Sequence, residues 1–204
     1  MKDKKELLFE EKRLLFLYRQ MLKKEYDINN KNKYENNNEL QNHVEMQKAI
    51  YLAYNLLWTD MYGFIWDTYG PKSIELEENI NKLDNKKEEI LKYYNSLDDN
   101  IYSDDTIRKL KEYYDSSNVY QLEQFTKLVS DIISEEKGIE LLADLRFIAY
   151  SQIPGAKFEI ANKELQRLRP VFNNVELNKF AFKCLEQYDL INPIDFSKGK
   201  VKKI

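Results

Sequence analysis

The stretch "DMYGFIWDTYGPKS", Asp60–Ser73, decides how the rest of the chain is read. The 204 residues contain only five glycines and four prolines, and two of those glycines and one of those prolines fall here. Tyr62, Phe64 and Trp66 alternate with Gly63, Ile65 and Asp67. Period two places the three rings on one face of an extended segment over 62–67. Alternating aromatics of this kind belong to a buried strand face more often than to an exposed one. The sharper reading makes Tyr62, Phe64, Trp66 and Tyr69 a surface for a partner, because Tyr and Trp are enriched at interface hot spots. Gly70-Pro71 stops the strand, and Pro71 suits the first position of a following helix, where its missing N–H costs nothing. Gly70 reads as a position needing positive φ or a close backbone approach, so Gly70→Val should cost about 1–3 kcal/mol.

Outward from this corner the pattern is helical. Few glycines and prolines favour helices over a turn-rich β architecture. Toward the N-terminus, residues 39–60 carry Val44, Ile50, Leu52, Ala53, Leu56, Leu57 and Trp58, an apolar arc wide enough for the centre of a core. Before it, residues 4–26 place Leu7, Leu14, Leu15, Tyr18 and Met21 at three- and four-residue spacing, with Glu10, Glu11 and Lys12 on the opposite side. "NNKNKYENNN" separates the two as a polar loop. Residues 1–38 therefore read as an amphipathic helix and loop attached to a helical core over 39–204.

Toward the C-terminus a helix begins near Ile74 and runs to about Tyr94, and a turn-rich acidic connection, "NSLDDNIYSDD", follows. Helices are expected at about 104–115 and 118–136, with a boundary at Gly138. Three more come after it: "IELLADLRFIAYSQ", broken by "IPGAK"; "FEIANKELQRLR", stopped by Pro170; and "NNVELNKFAFKCLEQYDLI", with Asn173 or Asn174 as N-cap. The fold class is mainly α: a multi-helix single domain with one short extended segment and a winged-helix-like three-helix unit at the C-terminal end.

Charge and motifs narrow the function. The net charge is −3, distributed as +2 over 1–59, −9 over 60–150 and +4 over 151–204. That balance does not describe a strongly basic nucleic-acid binder. No run of about 18 apolar residues is present, and the N-terminus lacks the uninterrupted apolar stretch of a signal peptide. The single cysteine, Cys184, excludes a disulfide within the chain and reads as a small buried hydrophobe. A cytoplasmic protein is expected. His43 is the only histidine, so a histidine-rich metal site is excluded and a catalytic triad would have to use this one ring. The carboxylate pairs Glu77-Glu78, Glu88-Glu89, Asp98-Asp99 and Asp104-Asp105 are sequence neighbours and point in different directions on a helix. No phosphate-binding glycine loop, dinucleotide fingerprint or nucleophile elbow is present. The expectation is a protein without catalytic residues, cofactor or metal.

The phrase "MQKAIYLAYNLLWTDMYGFIWDTYGPKSIELEENINKL" resembles YwgA-like and Panacea-type (SocA-like, antitoxin-associated) proteins. The matching features are Lys48–Leu52, the aromatic segment Phe64–Trp66, the turn Tyr69, Gly70, Pro71 and Ser73, and the helix opening Leu76–Ile80. Lys72 departs from the family's usual aromatic residue. Residues 139–191 are similar to the C-terminal part of YwgA-like chains, so the two blocks cover about half the chain. The resemblance implies that Gly70, Pro71 and Ser73 form a structural turn, that no residue is catalytic, and that the partner is another protein: a toxin, or a prophage or phage-defence component. A nucleic-acid-binding regulator is the alternative, with Lys179 and Lys183 on a recognition helix and Lys198, Lys200, Lys202 and Lys203 on a wing. A hydrolase using scattered carboxylates ranks last.

Overall fold

The computed structural model describes residues 7–21, 39–57, 62–86, 88–90, 92, 105–114 and 116–192. The Asn-rich loop, the acidic connection before Asp105 and the tail after Asn192 lie outside the described residues. Within them the protein is mainly helical, with one two-stranded sheet.

Helix α1 spans Phe9–Met21 and α2 spans Glu39–Leu56. Both are buried around most of their circumference. In α1 the consecutive residues Leu14, Leu15, Phe16, Leu17 and Tyr18 all lie in the core, and in α2 burial runs from Met46 to Tyr54 and resumes at Leu56. Such continuous burial differs from the amphipathic stripe expected of α1. Its polar side is covered as well. Glu11 is buried against Lys86, whose Nζ lies 2.6 Å from Oε2, and Arg13 is buried against Glu10 at 2.5 Å. The two helices pack on each other at the centre of the molecule.

Strands β1 (Ile65–Asp67) and β2 (Gly70–Lys72) form an antiparallel hairpin in the register Ile65 to Lys72, Trp66 to Pro71 and Asp67 to Gly70. The extended segment is thus half of a hairpin. Pro71 does not begin the next helix as its sequence position suggests: it lies in β2, and Ser73 takes the N-cap. The Ser73 hydroxyl accepts from Leu76 N at 3.3 Å, so α3 starts at Ile74 and runs to Asp84. Proline is tolerated in a strand at a sheet edge, where no ladder donor is required.

Helices α4 (Asp105–Tyr113), α5 (Ser116–Leu128) and α6 (Ser130–Ser134) follow. The helix expected over 118–136 is therefore interrupted at Val129. Helix α7, Gly138–Phe147, is entirely buried and continues as a π-helical turn over Ile148–Gln152. Its first residue must be glycine, since a Cβ there would fall 1.4 Å from the Ile132 carbonyl oxygen. Helices α8 (Phe158–Leu168) and α9 (Val175–Gln187) pack on α7 and on each other. The Asn174 side chain caps α9, accepting from Leu177 N at 3.1 Å. Among the described residues no helix is long and apolar enough to cross a membrane.

Candidate functional site

The hairpin is fastened to α2 by polar side chains. Gln47 Nε2 donates to the Ser73 carbonyl at 3.0 Å, and Gln47 Oε1 accepts from Ser73 N at 3.1 Å. The adjacent Lys48 donates to the Pro71 carbonyl. Gly70, with φ of +90°, turns the chain so closely over α7 that an added Cβ would stand 1.8 Å from Asp144 Oδ1. Gly70 and Pro71 thus lie in β2, directly after the Thr68–Tyr69 turn rather than in it, and with Ser73 they are held at one buried corner; both physical reasons for glycine at position 70 apply.

Behind the corner lies a buried charge cluster. Arg169, which follows α8, donates through Nη1 to Asp144 Oδ2 at 3.1 Å and through Nη2 to Glu140 Oε2 at 2.6 Å. Asp144 is completely buried, Lys48 and Glu140 are each 2% exposed, and Arg169 is 8% exposed. Burial pushes the Lys48 ammonium well below its ordinary range, against the pull of Asp144 and Glu140. Burial likewise raises Asp144 far above the usual carboxylate range, against the pull of Arg169 and Lys48. Asp144 Oδ1 has no hydrogen-bond partner in the structure. Four charged groups from α2, α7 and the α8–α9 connection thus enclose one another, two cationic and two anionic when all are ionised. Arg169 also carries the cluster toward the surface: its guanidinium carbon lies 6.0 Å from the Tyr69 ring centroid and 5.3 Å from that of Phe172.

The aromatic segment divides. Tyr62, Phe64 and Trp66 are half-buried and pack against the core, while Gly63, Ile65 and Asp67 are exposed. Phe64 stands edge-on to Tyr51 with centroids 4.7 Å apart, and Trp66 meets Phe147 at 5.7 Å. The Tyr62 hydroxyl donates to Glu10 Oε1 at 2.9 Å and accepts from Asn79 Nδ2 at 3.2 Å. Tyr69 alone among the four is open, at 48% exposure on the hairpin tip. The period-two reading therefore separates the inward rings from the outward one.

Between α2, the segment before β1 and the π-helical turn is a cleft of about 150 Å³. Tyr51, Tyr54 and Asn55 supply its α2 wall, and Tyr62, Phe64, Phe147 and Ser151 complete it. Beside it the Arg146 guanidinium lies 4.8 Å from the Tyr51 ring centroid and 4.5 Å from that of Tyr150. It donates to the Tyr51 hydroxyl and to Asn55 Oδ1.

On α9, Lys179 and Lys183 are exposed, as are Glu176 and Glu186 on the same helix. Lys198, Lys200, Lys202 and Lys203 lie outside the described residues. Cys184 is buried, and burial raises its thiol pKa. His43 lies half-buried in α2. Among the described residues no group of three or more His, Cys, Asp or Glu side chains is placed to hold a metal ion.

Sequence reasoning missed Glu140, Asp144 and Arg169, and it noticed Lys48 only as the start of a motif. A signal was present: "IELLADLRF" and "MQKAIYLAY" each set a charge within an apolar helical run. A charge so placed is buried only when paired. Its partners sit far away along the chain, Arg169 at 29 residues from Glu140 and Lys48 much farther from Asp144, and no local pattern joins them. No protein family, characterised protein or solved structure matches the chain.

Proposed function

We propose that this chain is a non-enzymatic protein-interaction module of the antitoxin type, working in the cytoplasm on a toxin or a phage-conflict component. One observation carries the reading. Tyr69 is exposed at the hairpin tip, beside an Arg169 that two buried carboxylates hold in place. Tyr and Arg, with Trp, are the side chains enriched at interface hot spots. A rigidly held anchor loses little freedom on binding, so more of its contact energy appears as affinity. Exposed Val171 follows two residues after Arg169 and offers apolar surface on the same connection. The resemblance to Panacea-type proteins supports the same reading. The charge cluster is occupied in fixing this corner, which suits a binding role better than a reacting one.

The test is capture of partners from the native host, followed by co-expression rescue with wild type, Tyr69→Ala and Tyr120→Ala. Tyr120 is more open still, at 60% exposure, but lies on α5. The expected result is that Tyr69→Ala alone loses capture and rescue while its melting temperature stays at the wild-type value. Equal behaviour of the two variants would remove Tyr69 as the anchor.

A further inference from the structure

We propose that the cleft between α2 and the π-helical turn binds a single aromatic ring bearing a hydrogen-bond acceptor, neutral rather than cationic. The inference is independent of the role given to Tyr69. Its first support is size. A cavity of about 150 Å³ holds one benzene ring, and the cleft has that volume. Its second is the wall. Tyr51 and Phe64 meet edge to face at 4.7 Å, and Tyr54 and Tyr62 do so at 5.3 Å. Rings so arranged offer further faces and edges to an inserted ring, a geometry that aromatic side chains favour over a flat sandwich.

The third support is electrostatic. Ring faces alone attract cations. Here the Arg146 guanidinium already occupies the Tyr51 face, 4.8 Å from its centroid, and places a fixed positive charge beside the cleft. A second cation is therefore disfavoured. The same guanidinium donates to the Tyr51 hydroxyl, which leaves the hydroxyl its own proton to donate. Arg146 also holds Asn55 Oδ1, and Asn55 Nδ2 donates to the Tyr51 carbonyl at 2.6 Å, so the polar part of the wall is fixed before any ligand arrives. The fourth support is the backbone. Ile153 N donates to the Ile148 carbonyl at 2.8 Å, the wide turn of a π-helix, and this widening brings the exposed Ser151 to the cleft. Single π turns inside helices occur frequently at functional sites.

The experiment uses the full chain and three probes of similar size: benzamide, cyclohexanecarboxamide and benzylammonium. Binding is followed by two-dimensional amide NMR. Benzamide is expected to bind in the millimolar range, as befits a ligand of so few atoms. Its largest shifts should fall on Asn55, Phe64 and Ser151. The saturated amide and the cation should each bind at least about fivefold more weakly, a margin of at least about 1 kcal/mol. Ser151→Trp, at an exposed position, should weaken benzamide by at least tenfold while the rest of the spectrum is preserved. Should that variant fold poorly, Ser151→Gln supplies the same obstruction with a smaller side chain. The proposal is overturned if benzamide shifts scatter over the surface, if the saturated amide binds as well, or if the rim substitutions leave binding unchanged. N-acetyl-tyrosinamide then separates the source of the ring. Competition with benzamide means that a side chain of another polypeptide fits, and absence of competition means that the cleft takes a free small molecule; both outcomes support the ring site.

Discussion

Replacing Gly70 by alanine tests the corner at its tightest point. Two costs add. At φ of +90° an L-residue loses about 1–2 kcal/mol relative to glycine through contact of its Cβ with the backbone. The new methyl would also stand 1.8 Å from Asp144 Oδ1 and 2.8 Å from its Cγ, so the carboxylate has to move. Asp144 is fully buried and bonded to Arg169, and losing one charge-assisted hydrogen bond costs about 1.5–3 kcal/mol. Gly70→Ala should therefore cost about 2.5–5 kcal/mol, against about 1–2 kcal/mol from the backbone alone, out of a typical total of about 5–15 kcal/mol. Urea denaturation followed by circular dichroism measures it. The two costs separate in a double-mutant cycle with Asp144→Ala, which removes the clashing atoms. In that background only the backbone cost remains, so the two substitutions should be non-additive by about 1.5–3 kcal/mol. Additivity within about 0.5 kcal/mol, or a single-mutant cost below about 1 kcal/mol, would refute the close approach.

Two further predictions follow from the charges. Burial raises the Asp144 pKa to about 8 in the folded chain, above its unfolded value. The native state then holds a proton that the unfolded state has released, so the Asp144 contribution is fully present in acid and declines as pH rises toward 8. The stability of wild type relative to Asp144→Asn should accordingly fall between about pH 4 and pH 8. Lys48, lowered to about 8, works in the opposite sense: its contribution is restored only as pH climbs from 8 toward the ordinary lysine range. A wild-type advantage over Asp144→Asn that grows with pH would mean that Arg169 and Lys48 outweigh burial and keep the carboxylate charged. On the nucleic-acid reading, six lysine–phosphate contacts from Lys179, Lys183 and the C-terminal lysines would give a log–log salt slope of about −5. Weak or absent duplex binding at physiological salt is expected instead, because Glu176 and Glu186 share α9 with the two exposed lysines and the chain is net negative. Submicromolar binding abolished by charge reversal at Lys179 and Lys183 would promote the regulator reading.

The sequence was most legible where local chemistry acts alone. The inward turn of Tyr62, Phe64 and Trp66 follows from alternation, the Asn174 cap from its place before an apolar run, and the special backbone at Gly70 from the clustering of glycine and proline at this corner of a glycine-poor chain. Legibility failed where tertiary contact overrides local preference. Pro71 has the geometry for a helix start, yet pairing with Trp66 draws it into a strand and hands the cap to Ser73. Glu11 looks like a surface residue until Lys86, 75 residues away, covers it. Nothing in "QLEQFTKLVSDIISEE" marks the break at Val129. The interruption accompanies the approach of Ile132 to Gly138, which a local pattern does not contain.

These failures share a cause, and it bears on what the buried charges contribute. A hairpin of three-residue strands has little apolar area with which to choose its register, and a slip by one residue would exchange its inner and outer faces. Here the choice is made by side chains that recognise the backbone at fixed points: Gln47 at Ser73, Lys48 at Pro71, and Asp144 against Gly70. A slipped hairpin would leave the Lys48 ammonium and the Gln47 amide buried without their acceptors, at a cost of about 1–3 kcal/mol per neutral group and more for the charge. Apolar packing of α1, α2 and α7 can supply the stability of the domain, but in the hairpin strands it opposes such a slip mainly through Trp66 against Phe147. The polar anchors oppose it as well. The hairpin tip that carries Tyr69 is therefore set in one register by Gln47, Lys48 and Asp144.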